Sequence, residues 1–224
     1  SLIGVDSSST PAIDVSSEFN FVGKRVELGA IGDFTFTQSL ASAFNRSGTD
    51  AEEEITLRAG VGGVGNLDFN RGTASSVIVK APRINLVAGA GREVDDQGVL
   101  TGESEIDTRN AEFDLAAPMG SVKTFTFSTT SFLTLADLPD TSQFVGNILP
   151  NILALRTDVG LLDLRDFDAT SLPLDLVDDP GDTADDRARL ILEAEDLRLS
   201  QTDGDNLDLT SIANLKLRLR TNFL

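Results

Sequence analysis

The chain has 224 residues, of which 40% are hydrophobic, and this is enough apolar material for a sizeable core. It contains neither Cys nor His, which excludes disulfides, thiolate nucleophiles, Cys- or His-ligated metal sites and the Ser-His-Asp and Cys-His catalytic sets. The formal net charge of −18 disfavours nucleic acid and anionic membrane surfaces as partners. We therefore expect a protein that is not an enzyme.

The N-terminal segment differs in texture from the rest of the chain. Residues 1–17 (SLIGVDSSSTPAIDVSS) are rich in Ser and lack regular alternation, which is typical of a flexible arm or linker. The first residue is Ser1 and no basic-then-apolar signal peptide follows, from which we expect a processed or excised product. We expect one β-rich domain over residues 18–224, with longer loops near 137–151 and 177–187.

From residue 19 onward, apolar and polar residues alternate in short bursts separated by Gly-, Asp- and Asn-rich turns. A period of two predicts strands with one buried face, and the bursts recur about every ten residues. No burst is long enough to cross a bilayer. The predicted inward positions are Phe19, Phe21, Val26, Leu28, Phe34, Phe36, Ile55, Leu57, Ala59, Leu67, Phe69, Val77, Val79, Ile84, Leu86, Ala88, Phe113, Leu115, Val122, Phe125, Phe127, Leu133, Leu135, Leu153, Leu155, Leu162, Leu164, Leu172, Leu174, Leu176, Leu190, Leu192, Leu197, Leu199, Leu207, Leu209, Leu215, Leu217 and Leu219.

Two segments are ambiguous between helix and strand. Residues 38–46 (QSLASAFNR) predict either a short helix or a loop that bulges from a strand. Residues 183–195 (TADDRARLILEAE) have a helix-forming composition and a candidate cap at Thr183. Their apolar run continues into the alternation of Leu197 and Leu199, which favours strand from Arg189 onward.

The repeated short bursts of alternating apolar and polar residues predict an all-β fold, with a right-handed parallel β-helix as the favoured architecture. The strands are short and numerous, and no Asn-Gly hairpin signal joins two matched strands. The segments 55–63 (ITLRAGVGG), 84–91 (INLVAGAG) and 190–199 (LILEAEDLRL) share an aliphatic-x-aliphatic-x-Ala core without a strict period. A β-sandwich or jelly roll is the second choice.

Three segments carry a resemblance to a known family. Residues 55–69 (ITLRAGVGGVGNLDF), 84–91 (INLVAGAG) and 190–219 (LILEAEDLRLSQTDGDNLDLTSIANLKLRL) resemble the repeats of filamentous-haemagglutinin-like large exoproteins. The resemblance is compositional and covers about half of the chain. It implies degenerate strand-turn units wound into a right-handed β-helix on the cell exterior, with adhesive or structural work and no catalytic residues.

Acidic turns are the candidate metal sites. In residues 203–208 (DGDNLD), Asp203, Asp205 and Asp208 present carboxylate oxygens of the kind that Ca²⁺ prefers. The alternative is an Asx-type turn between two strands. Asp95 and Asp96 resemble the paired carboxylates of a polysaccharide-cleaving enzyme, but the sequence marks no partner for them and DDQG reads as a turn.

The C-terminal strand combines an apolar and a cationic face. Leu215, Leu217 and Leu219 alternate with Lys216, Arg218 and Arg220, so the three cations share one side. They either pair with Glu193 and Glu195 on a neighbouring strand or form an intersubunit contact.

Together these features predict a self-assembling extracellular structural protein, such as a filament, sheath or surface-layer subunit. In this prediction the chain is a homo-oligomer or polymer, and the N-terminal arm donates a strand to a neighbouring copy. Two alternatives remain open. One is an adhesin segment that binds glycans or another cell surface, and the other is a carbohydrate-active β-helix enzyme.

Overall fold

The computed structural model describes residues 2–4, 19–20, 24–35, 42–45, 50–61, 63–69, 77–89, 96–97, 104–115, 117–118, 121–130, 132–157, 160–165, 172–176, 188–198 and 214–219. Within these ranges the chain forms 18 β-strands, numbered β1 to β18 in chain order, and three 3₁₀ turns. No helix in the described ranges is long and apolar enough to span a membrane.

Eight strands form one parallel sheet, here called the long sheet, in which spatial order follows chain order. Its strands are β1 (Leu2–Gly4), β3 (Arg25–Ala30), β6 (Glu54–Ala59), β9 (Arg83–Ala88), β12 (Thr124–Thr129), β14 (Ile152–Thr157), β16 (Arg189–Ala194) and β18 (Asn214–Leu219). Since β1 pairs with β3 of the same chain, part of the segment predicted as an arm lies at one edge of this sheet.

The other ten strands form three smaller parallel sheets. The four-stranded sheet contains β2 (Phe19–Asn20), β5 (Ser42–Asn45), β8 (Val77–Lys80) and β11 (Ala111–Asp114). The first three-stranded sheet contains β4 (Phe34–Thr35), β7 (Leu67–Asp68) and β10 (Ile106–Asp107). The second three-stranded sheet contains β13 (Phe132–Thr134), β15 (Leu161–Asp163) and β17 (Asp196–Arg198).

The chain visits these sheets in a fixed order. From β3 to β11 it passes three times from the long sheet to the first three-stranded sheet and then to the four-stranded sheet. The all-β prediction is confirmed. Every strand pairing between described residues is parallel, unlike the antiparallel pairing of a β-sandwich or jelly roll.

Register in the long sheet aligns the apolar positions into ladders that run across the strands. One inward ladder contains Val26, Ile55, Ile84, Phe125, Leu153, Leu190 and Leu215. A second contains Leu28, Leu57, Leu86, Phe127, Leu155, Leu192 and Leu217, and the backbone register pairs Leu2 of β1 with Leu28. From β6 to β16 both ladders are buried, which confirms the predicted inward positions there.

Aromatic side chains join the long sheet to the four-stranded sheet. The ring centroid of Phe113, on β11, lies 5.0 Å from that of Phe125, on β12. Phe144 lies 5.6 Å from Phe113 and 5.5 Å from Phe125, and its backbone forms a parallel bridge to Phe113. These rings belong to one buried apolar core, to which all four sheets contribute side chains.

The predicted loop near 137–151 is an excursion made of 3₁₀ turns. These turns span Leu135–Asp137, Thr141–Gln143 and Val145–Asn147. The Gln143 side-chain amide donates hydrogen bonds to the carbonyl oxygens of Thr108 and Ala111, which attaches the excursion to the turn between β10 and β11.

The corner that follows the long sheet is crowded with glycine. Gly60 has φ +66°, and a Cβ at this position would lie 2.7 Å from the Gly65 nitrogen and 2.9 Å from the Gly89 Cα. Gly89 has φ +80°, and a Cβ at this position would lie 2.5 Å from the Thr130 Oγ1 side-chain atom. The positive φ favours glycine at both positions, and at Gly60 the close backbone approach also excludes a side chain.

Three sequence predictions need comment. Ser42–Asn45 is a strand that pairs with β8, so the helical alternative for 38–46 is wrong there. Strand from Arg189 onward is confirmed. Leu217 is predicted to point inward, but it is 51% exposed. Because β18 is an edge strand of the long sheet, Leu217 has a ladder neighbour on one side only among the described residues.

Candidate functional site

The outward side chains of β3 to β16 line an open groove of about 800 Å³ along the long sheet. Four arginines, Arg58, Arg83, Arg156 and Arg189, contribute to it, and we call it the arginine groove. Its carboxylates are Glu27 and Glu54, and hydroxyl and amide side chains together with Val87, Val122 and Ile152 complete the lining.

The strand register places the four arginines in two rows. Arg83 and Arg189 belong to one outward ladder and lie three strands apart, with Thr124 and Ile152 between them. Arg58 and Arg156 belong to another outward ladder and also lie three strands apart. At the usual strand spacing the members of each pair are about 14 Å apart, and the two rows are separated by about 13 Å along the strands.

Polar side chains form the floor between these rows. Thr56, Asn85 and Thr126 are consecutive members of one ladder, and Asn85 Nδ2 donates a hydrogen bond of 3.0 Å to Thr56 Oγ1. Thr56 and Thr126 are only 8% and 7% exposed although they point away from the apolar core. The longer side chains on either side therefore narrow the groove, although Thr56, Asn85 and Thr126 still line it.

The arginines differ in how their charge is balanced. Arg58 Nε donates to Glu27 Oε1 at 2.9 Å, and its side chain is 30% exposed. Arg83 Nε is buried and has no hydrogen-bond partner in the described part of the chain. Arg156 Nε lies 3.6 Å from Glu193 Oε2, which is longer than a strong charge-assisted hydrogen bond.

Glu193 links the groove to the C-terminal strand. Its side chain is 7% exposed and lies between Arg156 and Arg218, whose nitrogen atoms are each 3.6 Å from a Glu193 oxygen. The cross-strand pairing predicted for Arg218 is therefore confirmed. Lys216 is exposed on the same strand, and Arg220 lies outside the described residues.

The edge of the long sheet at β18 is a second surface feature. The long sheet ends at β18, which has a neighbouring strand on one side only among the described residues. In its ladder, Leu57, Leu86, Phe127 and Leu155 have no exposure and Leu192 is 2% exposed, whereas Leu217 is 51% exposed. An apolar row thus ends at an open edge.

The predicted calcium ligands Asp203, Asp205 and Asp208 lie outside the described residues. Among the residues that are described, no group of three acidic side chains is arranged to hold a metal ion. Asp96 is exposed in a turn, while Asp95 falls outside the described ranges.

The second three-stranded sheet contains a buried carboxylate that sequence reasoning did not single out. Asp163 accepts hydrogen bonds of 2.9 and 3.0 Å from Arg165 Nε, and its side chain is 6% exposed. The Arg165 guanidinium holds the pKa of Asp163 below its ordinary value of 3.8, because hydrogen bonds from a cation favour the ionised carboxylate.

Sequence reasoning missed the arginine groove as well. Its signal was the repeated Arg at outward positions of apolar strands, as in ITLRA (55–59), RINL (83–86) and LALRT (153–157). Neither a protein-family model nor a curated protein nor a solved structure matches this chain. The functional proposals below therefore rest on the geometry of the arginine groove and of the β18 edge.

Proposed function

We propose that the sheets wind as a right-handed parallel β-helix, and that the chain is an extracellular structural protein that assembles with copies of itself. The fixed order in which the chain visits its sheets, together with the in-register parallel ladders, supports this winding. The resemblance to filamentous-haemagglutinin-like repeats and the acidic composition, which suits a salt-rich exterior, support the location.

The observation that carries the assembly proposal is the exposure of Leu217. A strand docked on β18 would pair with backbone groups on the side that no described strand occupies and cover a side chain that is now 51% exposed. Covering half of a leucine contributes about 1 kcal/mol, and the backbone pairing adds to it. Natural proteins rarely leave such an edge uncovered.

The occupant that fits this edge is a second copy of the chain. The backbone register pairs Leu2 of β1 with Leu28 of the ladder that contains Leu217, and β1 is the opposite edge strand of the long sheet. A second copy that places β1 beside β18 continues the ladder with leucine against leucine. Such a head-to-tail contact does not close on itself, so repetition produces a filament.

Substitution of Leu217 by Lys tests this contact, because it puts a charge at the centre of the docking ladder. Sedimentation and electron microscopy of the 224-residue chain should show concentration-dependent filaments for the unmodified protein and shorter or no filaments for Leu217→Lys. Ile148→Lys is the matched control, because Ile148 is 41% exposed and lies outside the long sheet.

Far-ultraviolet circular dichroism of each variant should show unchanged strand content. A chain that remains monomeric at high concentration, in both low and high salt, would overturn the assembly proposal. Equal loss of filaments in Ile148→Lys would refute the role of the β18 edge.

A further inference from the structure

The arginine groove opposes the charge of the chain that carries it. The chain has 36 acidic and 18 basic residues, whereas four arginines and two glutamates line the groove, and one further carboxylate, Glu193, lies beside Arg156. A local excess of fixed positive charge in a strongly acidic protein indicates a surface that receives an anion.

We propose that the arginine groove binds a linear acidic polysaccharide built from uronic acid units. The polymer lies across the strands, its carboxylates meet the arginine rows and its hydroxyls meet the floor. This proposal does not depend on self-assembly, because the groove is formed by β3 to β16 of a single chain.

The shape of the groove suits a polymer better than a single small anion. The backbone positions of the arginines within each row are about 14 Å apart and the rows are about 13 Å apart, so the positive charge is distributed over a span much longer than one carboxylate. A carboxylated chain that runs along the groove presents charges at several positions over that span. The planar guanidinium matches a carboxylate with two parallel hydrogen bonds.

Three of the four arginines retain some capacity to bind an external carboxylate. Arg83 Nε lacks a hydrogen-bond partner among the described residues, which shows that this guanidinium is not fully used inside the protein. The pair of Arg58 with Glu27 is partly exposed, and exposed pairs exchange at small cost. Glu193 is shared between Arg156 and Arg218 at 3.6 Å, so one carboxylate faces two cations.

The floor supplies the groups that recognise sugar hydroxyls. Thr56, Asn85 and Thr126 form a continuous row of hydroxyl and amide groups, and each can donate as well as accept. A nucleic acid is the less suitable occupant, because duplex DNA carries one negative charge per about 1.7 Å of its axis, a denser charge than one carboxylate per sugar unit and therefore more strongly repelled by the acidic body beyond the groove. At physiological ionic strength, repulsion from that body is screened beyond about 8 Å, whereas contacts within the groove persist.

Calorimetric titration of the 224-residue chain with oligogalacturonate at physiological ionic strength tests the proposal. A neutral glucan oligosaccharide of equal length is the ligand control. We expect binding of the acidic oligosaccharide, and a loss of affinity of about tenfold in Arg83→Gln and in Arg189→Gln, because each removes a charge-assisted contact.

Arg198→Gln is the matched protein control. It makes the same change of charge on β17, in the second three-stranded sheet, and should leave the affinity within about twofold of the unmodified chain. Circular dichroism should be unchanged in all three variants.

Four outcomes would overturn the proposal. They are an absence of binding, equal binding of the neutral oligosaccharide, equal or tighter binding of an oligodeoxynucleotide, and equal effects of Arg83→Gln and Arg198→Gln. Leu217→Lys should retain glycan binding, so failure of the assembly proposal and failure of this one are distinguishable.

Discussion

The strands of the long sheet are more uniform in length than those of the three smaller sheets. From β3 onward every strand of the long sheet has six residues, whereas strands of the other sheets have two to four. The long sheet continues through eight strands, while the strands around it divide into separate sheets. Among the described residues, strand length is therefore constant in the long sheet from β3 onward and varies in the three smaller sheets.

Connector lengths show how the two regions are related. Ile55 pairs with Ile84, 29 positions later, whereas Ile84 pairs with Phe125, 41 positions later. The ladder stays in register across this change, so the extra residues lie outside the long sheet. Apolar alternation on its inward face sets the register, because a slip by one residue would expose every buried side chain.

The largest expected difference between the two regions is in the cost of losing an aromatic side chain. Phe125 in the long sheet is fully buried and contacts Phe113 and Phe144, so Phe125→Ala should lower the free energy of unfolding by about 3–5 kcal/mol. Phe132 in the second three-stranded sheet is 45% exposed, and Phe132→Ala should cost less than about 1 kcal/mol.

Urea unfolding followed by far-ultraviolet circular dichroism measures both values, since the chain has neither Trp nor Tyr for fluorescence. Equal losses in the two variants would contradict the contrast between the sheets.

A smaller difference should separate two glycines with nearly the same backbone angle. Gly60 at the corner of the long sheet has φ +66°, and Gly146 in the 3₁₀ excursion has φ +67°. A Cβ at Gly60 meets backbone atoms at 2.7 to 2.9 Å, whereas one at Gly146 meets nothing closer than 3.8 Å. We expect Gly146→Ala to cost about 1 kcal/mol, from the backbone angle alone, and Gly60→Ala about 2–4 kcal/mol.

The same unfolding experiment serves for this pair, and each variant should keep the strand content of the unmodified protein. If the two glycine variants lost the same stability, the close packing of the corner would have no energetic role.

The smallest expected effect concerns acid stability in the second three-stranded sheet. Hydrogen bonds from Arg165 lower the pKa of Asp163 in the folded protein, so the unfolded state takes up the proton first as the pH falls. The stability that ionised Asp163 contributes is therefore fully present at pH values well above its ordinary pKa of 3.8. It is lost as the pH falls through the lowered pKa of the folded state.

Asp163→Asn should accordingly reduce stability at neutral pH and flatten the decline of the thermal midpoint below about pH 4. Asp96→Asn, in an exposed turn, is the control and should leave the decline unchanged. An unaltered acid profile in Asp163→Asn would show that its hydrogen bonds to Arg165 add nothing to folding.

Sequence alone predicted which side chains are buried in the long sheet, because burial follows local alternation. It did not predict the pairing of strands, since each ladder joins residues that are 25 or more positions apart and no local signal records their partners. Ser42–Asn45 illustrates the limit. Its composition allows a helix, but pairing with β8 determines a strand.

The exposure of the β18 edge and the make-up of the arginine groove could not be predicted either, because both depend on which distant strands pair. Leu217 has the same local alternation as Leu192, yet its place at the sheet edge leaves it exposed. The arginine groove depends on which outward residues become neighbours across strands, and this is known only once the register is known. The proposed calcium ligands Asp203, Asp205 and Asp208 stay a prediction, as does an intersubunit role for Lys216, Arg218 and Arg220.

The fixed register with variable connectors also has a kinetic consequence. Each strand of the long sheet pairs with the strands immediately before and after it in the sheet's chain order, so ordering can spread from any adjacent pair by closing one loop at a time. Closing the longer loop of 41 positions between Ile84 and Phe125, in place of 29, costs only about 0.3 kcal/mol more in chain entropy. Insertions outside the long sheet thus hardly slow its formation, and the chain can lengthen its exposed turns while it keeps the same route to the folded state.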